Sequence, residues 1–308
     1  MDLRRTLSRL ALAAVAFGSV ACVPVTRPVA TPATTTSTTT TSTTTVVPAL
    51  PAPVASAGAG FVAFGDAGMA DATQHQVADQ MERWVATSHR VDALVEAGDD
   101  VYPTGDPLQF AAALDTPYAD LRVGRPLWVA LGNHDVQGGH GAEQLAYLGL
   151  PDMPYVKTLS GVQLLFLDAN HPDEAQAQWL DARLSEPGPA LRVVVFHQPA
   201  YSCATHGSTA AVIQWWVPIL EEHRVALVLS GHDHYYERFV SASDVTYVVT
   251  GGGGAATYAR RATCTGVPSS QASAQRHHFV GVEIADGVLT LTAVARTGEV
   301  LDRATITR

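Results

Sequence analysis

The chain is poor in cysteine, has fewer basic than acidic residues, and its apolar segment near the start is short. Its 308 residues include 3 Cys, and 19 Lys and Arg stand against 29 Asp and Glu, for a formal net charge of -10. This balance argues against a nucleic acid or an anionic membrane surface as the main partner, because both attract positively charged surfaces. The apolar run at 10–20 has 11 residues, whereas a membrane-spanning helix needs about 20.

The first residues have the composition of an export signal. Three arginines at positions 4, 5 and 9 precede the apolar run, and Ser19 to Ala21 form a small-residue cleavage site. We therefore predict a signal peptide at 1–21 and an extracytoplasmic protein. It is either secreted or anchored by a lipid on Cys22 to the outer face of the cell membrane. Both outcomes stay open, because Cys22 follows the cleavage site as in a bacterial lipoprotein, but Ser19 replaces the usual Leu.

A change of composition separates the start of the chain from the rest. Eleven of the fifteen residues from Thr31 to Thr45 are Thr, and prolines flank them. Such a segment buries too little apolar surface to offset its ordering entropy, which predicts a disordered linker over 22–60. The whole chain is 47% hydrophobic, and 61–308 is long enough to enclose a core, so we predict one domain there.

Within 61–308, short apolar runs alternate with amphipathic stretches. Apolar spacings of three and four residues predict helices at 74–87, 174–184 and 212–222. The apolar runs predict strands, and toward the carboxyl end strand follows strand. This order indicates an α/β core that carries a second sheet.

Polar side chains follow five of the predicted strands. They are Asp66, Asp99 with Tyr102, Asn133 with His134, His197, and His232 with His234. The carboxyl ends of strands meet at one edge of an open α/β sheet, so we expect these side chains to converge there. Imidazole, carboxylate and amide groups are metal ligands, and the pattern therefore predicts a metal site.

These strand ends also carry five short motifs in a fixed order. They read G-D-A-G at 65–68, G-D-D-V-Y at 98–102, G-N-H-D at 132–135, F-H-Q-P at 196–199 and G-H-D-H at 231–234. In this order they resemble the calcineurin-like metallophosphoesterases, and among those the purple (tartrate-resistant type) acid phosphatases. The resemblance implies an α/β fold, a four-layer α-β-β-α sandwich of two mixed sheets.

One position favours the purple acid phosphatase type. Asp66 is followed by Ala67 and Gly68, so the chain lacks the first-motif His of many relatives, and Tyr102 stands where purple acid phosphatases have a ligand Tyr. A phenolate is a hard anionic ligand and favours Fe(III). The resemblance implies two metal ions. Fe(III) is held by Asp66, Asp99, Tyr102 and His234, and a divalent ion (Fe, Zn or Mn) by Asp99, Asn133, His197 and His232.

The same resemblance implies an acid phosphatase that releases phosphate from phosphomonoesters by attack of a metal-bound hydroxide. His134 is then the group that contacts phosphate or protonates the leaving group, Asp135 orients it, and His206 contacts the substrate. The partner is a small phosphorylated substrate. Two alternatives stay open: a phosphodiesterase of the same fold, for cyclic nucleotides or other diesters, and a non-catalytic surface binding protein on this scaffold. The oligomeric state is not predicted.

The remaining polar and cysteine residues give smaller predictions. In an oxidising compartment Cys203 and Cys264 can pair, and we predict a disulfide between two loops, with two free buried thiols as the alternative. We interpret the glycines at 251–254 as close packing beside the metal site. Histidines outside the strand ends are interpreted as surface or capping residues: His75, His89, His140, His171, His223, His277 and His278.

Overall fold

The protein was analysed as a computed structural model that describes residues 48–308. The predicted signal peptide, Cys22 with its possible lipid, and most of the predicted linker lie outside the described residues. Within them, no helix is both long and apolar enough to cross a membrane.

Thirteen strands form two mixed sheets in the described part of the chain. The first sheet has the order β13-β12-β11-β1-β2-β3, and its strands are β1 (Ala59–Phe64), β2 (Ala93–Glu96), β3 (Leu127–Val129), β11 (His278–Ala285), β12 (Val288–Ala295) and β13 (Val300–Thr307). The second has the order β10-β8-β9-β7-β6-β5-β4, and its strands are β4 (Tyr155–Leu159), β5 (Val162–Phe166), β6 (Leu191–Val195), β7 (Leu227–Ser230), β8 (Tyr236–Val240), β9 (Thr246–Thr250) and β10 (Ser269–Ala274).

Both sheets combine parallel strands with antiparallel ones. In the first sheet β1, β2 and β3 are parallel, and in the second β5, β6, β7 and β9 are parallel. The α-helices are α1 (Ala72–Ala86), α2 (Asn133–Gln137), α3 (Gly141–Tyr147), α4 (Glu174–Ser185), α5 (Ala210–Trp215) and α6 (Val217–Glu222). Short 3₁₀ and π turns occupy 107–118.

Three hydrophobic clusters separate four layers. The central cluster packs the two sheets together, with Phe61 and Val95 facing Val193. A second cluster packs α1 on the outer face of the first sheet, and a third packs α4, α5 and α6 on the outer face of the second. The predicted four-layer α-β-β-α sandwich is confirmed.

The folded domain begins earlier than the boundary predicted at Phe61. The amide of Gly58 donates to the carbonyl of Ile284 at 2.9 Å, and β1 starts at Ala59. Upstream, the carbonyl of Pro51 accepts from the ring of His89 at 3.1 Å. The Pro-rich composition extended the predicted linker too far, because these residues are held by backbone groups that composition does not reveal.

Two predicted helices differ in detail. Helix α1 starts before 74, because the Asp71 side chain accepts from the amides of Thr73 and Gln74 and so caps it. The helix predicted at 212–222 is interrupted at Trp216. Pro218 lies just after the break, where it has no N–H to continue the helical ladder. The predicted disulfide between Cys203 and Cys264 is present, with a Cα–Cα distance of 5.5 Å.

Candidate metal centre

The two sheets together place the predicted ligands at one site. Asp66, Asp99 and Asn133 follow the carboxyl ends of β1, β2 and β3, while His197 and the pair His232 and His234 follow β6 and β7. Strands β1, β2 and β3 are parallel to one another, and β6 is parallel to β7. The expected convergence at strand ends therefore occurs across both sheets.

One group of donors surrounds Asp66. A ligand atom from each of Asp66, Asp99 and His234 lies within 4.8 Å of the other two. The Oδ1 atom of Asp66 is 3.3 Å from Nε2 of His234. The hydroxyl of Tyr102 is 3.0 Å from Oδ2 of Asp99 and 3.3 Å from Nε2 of His234. These are the four side chains predicted for the Fe(III) site.

A second group adjoins the first through Asp99. Nε2 of His197 is 3.3 Å from Oδ2 of Asp99 and 3.2 Å from Oδ1 of Asn133. Nδ1 of His232 is 3.3 Å from Nε2 of His197. Asp99 thus lies in both groups, which is the position expected of a bridging carboxylate.

Hydrogen bonds to backbone carbonyls orient the rings of two histidines, His197 and His234, and so determine which ring nitrogen faces the centre. Nδ1 of His197 is 2.8 Å from the carbonyl of Ala97, and Nδ1 of His234 is 2.9 Å from that of Ala256. Since a carbonyl only accepts, each Nδ1 carries a proton and each Nε2 is the ring nitrogen that faces the centre.

Three of the ligands adopt a backbone conformation that L-residues rarely take. The φ angles are 58° at Asp66, 56° at Asp99 and 69° at His232. A left-handed conformation costs roughly 1–2 kcal/mol per non-glycine residue, and such costs concentrate at functional sites. Each of these residues turns sharply out of its strand, which directs its side chain toward the shared site.

Glycines beside the ligands leave room for the carboxylates. A Cβ on Gly132 would lie 2.2 Å from Oδ1 of Asp99, and one on Gly251 would lie 2.5 Å from Oδ2 of Asp66. Gly253 donates to the carbonyl of Gly65 at 2.9 Å. The interpretation of the 251–254 glycines as close packing beside the metal site agrees with these contacts.

The centre concentrates buried charge. Burial raises the pKa of Asp66, whereas at Asp99 burial is outweighed by His197, which holds the pKa of Asp99 below its usual range. Burial opposes protonation of His197, but Asp99 raises its pKa to about 10. Burial and the neighbouring His197 lower the pKa of His232 to about 3. The ring of His232 is thus neutral and keeps a lone pair for a cation.

The phenol of Tyr102 also has a pKa that is shifted by burial and by nearby charges. Burial and the carboxylates of Asp66 and Asp99 hold the pKa of Tyr102 far above its usual range. A phenolate at this position therefore requires a cation nearby, which inverts the local electrostatics.

His134 borders the centre, but Asp135 does not orient it. Nδ1 of His134 is 2.7 Å from the carbonyl of Pro103, and its Nε2 is 4.0 Å from Oδ2 of Asp99. The buried carboxylate of Asp135 instead accepts from the amides of Gly132, Asp100 and Val101. The predicted role of Asp135 as the residue that orients His134 is wrong, because its oxygens are engaged with the backbone of both ligand loops.

His206 reaches the centre from the loop after β6. Its ring centroid is 4.2 Å from that of His232 and 5.5 Å from that of Tyr258. Tyr258 stacks on His234 at 4.2 Å with an interplanar angle of 14°. Asp233 accepts from the amides of His206 and Gly207 and so holds this loop.

Two further residues at the centre, Tyr258 and Asp233, lie outside the predicted set of site residues. Tyr258 lies in an irregular segment without a motif, and its position four residues after the glycine run is the one sequence signal that places it near the pocket rim. Asp233 stands between two ligand histidines, and the motif that contains it was interpreted for those histidines alone. Arg260 donates to Glu237, and Arg261 donates to the carbonyl of Thr205.

Two of the histidines interpreted as surface or capping residues are buried. His89 is 4% exposed, stacks on Trp84 and bonds to Glu283 at 3.0 Å. His278 is fully buried and bonds to the hydroxyl of Thr250 at 3.1 Å. Both interpretations are wrong, because a buried imidazole with polar partners cannot be recognised from one residue in a sequence.

The donor set fits a pair of metal ions. Asp66 and Asp99 are 0% and 2% exposed, and no Lys or Arg pairs with either carboxylate within residues 48–308. Buried carboxylates need a counter-charge, and the groups that face them are an amide, a phenol and imidazole rings, each of which can also bind a cation. This is the chemistry of cation ligands rather than that of a structural ion pair.

The fold and this site define a class, that of α/β sandwich proteins with a candidate two-metal centre at the strand ends. The family model described as "Calcineurin-like phosphoesterase" matches residues 61–236. The chain belongs to the calcineurin-like phosphoesterase family.

Known proteins with these features include purple acid phosphatases. Purple acid phosphatase 4 of Arabidopsis thaliana is 26% identical over 215 residues, which are 58% of this chain and 63% of that protein. The chain therefore spans less than two thirds of this relative. A purple acid phosphatase from yellow lupin (Lupinus luteus) seeds superimposes with a TM-score of 0.68 and 18% identity, over 84% of this chain and 55% of that one.

A further structure has the same fold. It is described as "GAP50 the anchor in the inner membrane complex of Plasmodium", and it superimposes with a TM-score of 0.68 and 19% identity, over 81% of this chain and 88% of that one. At such identities the two structures establish the fold alone.

Proposed function

We propose that the protein is an exported, metal-dependent phosphohydrolase that releases phosphate from phosphomonoesters, with Fe(III) and a divalent ion in its centre. The main observation behind the proposal is that loops from both sheets place their ligands at one site. There the ligand atoms of Asp66, Asp99 and His234 lie within 4.8 Å of one another. The purple acid phosphatase relatives support the monoester substrate class.

The residues divide between two ions. Asp66, Asp99, Tyr102 and His234 would hold the Fe(III) ion, and Asp99, Asn133, His197 and His232 the divalent ion. A bound metal pair supplies Lewis acidity, which polarises the phosphate and lowers the pKa of water.

The chain's own groups complete the reaction. Nδ1 of His134 is held by Pro103, so a second proton on the ring resides at Nε2, close to Asp99. From there His134 donates a proton to the leaving-group oxygen of the substrate. His206, packed on His232, contacts the phosphate, and the Tyr258 ring covers His234.

The fold alone does not distinguish an enzyme from a binding protein, since GAP50, described as an anchor, superimposes as well as a purple acid phosphatase does. The complete set of candidate ligands favours the enzyme. A binding protein has no need for two buried carboxylates that face imidazole rings at one point, because burying charged groups costs free energy.

Export is supported by the disulfide between Cys203 and Cys264, because disulfides persist in oxidising compartments. Cell fractionation of the full chain and of Cys22→Ser tests the anchor. A lipid on Cys22 places the wild-type protein in the membrane fraction and releases the variant, whereas equal release of both excludes the lipid.

The function is tested on purified protein by its visible spectrum, its metal content and phosphate release from a panel of monoesters and diesters. We expect iron with a tyrosinate absorption band, and faster release from monoesters, with activity that extends below pH 7. A preference for diesters would favour the phosphodiesterase alternative. Protein that binds metal but cleaves no ester would overturn the proposal.

A further inference from the structure

A cavity adjoins the segment that holds His234. The carbonyl of Ala256 accepts from His234, and the Tyr258 ring stacks on it. Thr257, between them, lines a separate cavity of about 390 Å³. The cavity is thus lined by the residue between Ala256 and Tyr258, both of which contact the candidate metal ligand His234.

The lining of this cavity is cationic, although the whole chain has a net charge of -10. It contains no Asp or Glu and consists of Thr257, Gln275, Arg276, His277, Ala295, Arg296 and Thr297. The Arg276 guanidinium donates to the carbonyl of Gln275, and that of Arg296 donates to the amide oxygen of Gln76. Within residues 48–308 neither guanidinium pairs with a carboxylate.

His277 lines the cavity with a ring nitrogen that has no partner. Its Nδ1 atom is buried and forms no hydrogen bond within the described part of the chain. Burial and Arg296 lower the pKa of His277, while the backbone of Gly252 raises it. Asp71 is the acidic residue that acts on this ring, but its carboxylate is engaged by the amides of Thr73 and Gln74.

We propose that this cavity is a second anion subsite, which binds the non-reacting phosphate of substrates that carry two phosphate groups. Two guanidiniums without carboxylate partners suit a phosphate dianion, because the planar fork of Arg matches its oxygens. The Gln275 amide donates to the hydroxyl oxygen of Thr257 at 3.5 Å, and the Thr257 hydroxyl remains as a neutral donor at this edge of the cavity. The subsite deepens the proposed function and rests on it for the reaction at the first phosphate.

The test compares fructose 1,6-bisphosphate with fructose 6-phosphate. The variant combines Arg276→Gln with Arg296→Gln, and Arg303→Gln, an exposed arginine on β13 outside the cavity, is the matched control. We expect the double variant to lose roughly tenfold in kcat/KM for the bisphosphate, mainly through KM, and less than twofold for the monophosphate. Since both arginines are exposed, the melting temperature should not change.

Calorimetric titration of metal-free full-length protein with the bisphosphate separates the subsite from the reaction. The wild type and Arg303→Gln should bind it, and the double variant should bind it at least tenfold more weakly. Equal binding by all three proteins would overturn the subsite. If no ester is cleaved but binding depends on the two arginines, the proposed function fails and the subsite stands.

Discussion

At the scale of single residues, the backbone sets the chemistry of the centre. Carbonyls of Ala97 and Ala256 fix the proton on Nδ1 of two histidines, and amides satisfy the buried oxygens of Asp66 and Asp99. Each donor is therefore oriented before a cation arrives. Pre-oriented ligands lose little conformational entropy on binding, so removing one should weaken metal binding more than it weakens the fold.

The first prediction concerns Asn133 and His232. Asn133→Ala and His232→Ala should each lose the divalent ion and at least about 100-fold in turnover, because even indirect support of a metal ligand is worth 10–100-fold. Metal analysis and phosphate release measure both effects, and far-UV circular dichroism should be unchanged. His75→Ala, on α1, is the control and should keep metal and activity. Full activity in either ligand variant would contradict the second metal site.

A second prediction uses the buried His278. Burial lowers its pKa to about 4 from 6.5. The unfolded chain therefore takes up a proton between these values that the folded chain does not, and stability falls as pH falls from 6.5 toward 4. Between pH 7 and 5 this residue should account for a loss of about 2 kcal/mol.

Urea unfolding at pH 7 and pH 5 checks this prediction in the metal-free protein. His278→Gln should show a smaller loss between the two pH values than the wild type, while His171→Gln, an exposed residue, should retain the wild-type loss. An identical loss in His278→Gln would show that the ring does not control acid sensitivity.

Residues in sequence motifs were easier to predict than the groups that hydrogen-bond to them. The seven candidate ligands were predicted because each lies in a short motif that follows a predicted strand. The true partner of His134, the carbonyl of Pro103, could not be predicted, because a backbone carbonyl has no sequence signature. Asp135 was misassigned for the same reason, since its partners are backbone amides.

At the scale of elements, each ligand loop leaves its strand by a sharp turn that neighbouring loops pack against. A third prediction follows for Gly132→Ala, whose new Cβ would lie 2.2 Å from Asp99 Oδ1. The carboxylate or the loop must move, so we expect a loss of metal and a destabilisation of about 1–3 kcal/mol, typical of overpacking. Gly58→Ala is the matched control, because nothing lies within 4 Å of its Cβ. Metal content and urea unfolding distinguish the two.

A fourth prediction concerns the disulfide that joins the His206 loop to the segment after β9. The bridged cysteines are 61 residues apart, for which loop closure predicts a contribution of about 4 kcal/mol. Cys203→Ser with Cys264→Ser should lower the free energy of unfolding by up to this amount. It should also raise KM more than it lowers kcat, since it loosens His206 and Tyr258 while the ligands stay in place. Chemical denaturation and steady-state kinetics test both parts, and unchanged stability would contradict the first.

Elements with strong periodicity were predicted, and those fixed by tertiary contacts were not. Buried parallel strands such as β6 read as apolar runs and were found. Strand β8 has no apolar run to predict it, because it follows the His pair directly and carries Glu237 and Arg238, whose charges are paired inside the domain. Strand β10 is exposed and contains Ser and Gln, and it exists because it pairs with β8.

At the scale of the whole molecule, the centre links two sheets that are also joined by apolar packing and by polar pairs such as Arg238 with Asp302. The first sheet supplies Asp66, Asp99 and Asn133, and the second supplies His197, His232 and His234. Each of the two ions would take ligands from both sheets and is therefore bound only while both sheets are in place. Its binding free energy adds to the stability of the entire domain.

The fifth prediction is that chelation destabilises the domain as a unit. A metal present at 1,000 times its Kd stabilises the folded state by about 4 kcal/mol. A domain of this size shifts by 2–4 °C per kcal/mol, so removal should lower the melting temperature by roughly 10 °C. Scanning calorimetry with and without chelator should show one transition that moves, because the ligands span both sheets. His232→Ala should shift less on chelation, since it retains only the ion held by Asp66 and Tyr102. Two separate transitions, only one of which responds to chelator, would show that the sheets unfold independently and that the ions do not bridge them.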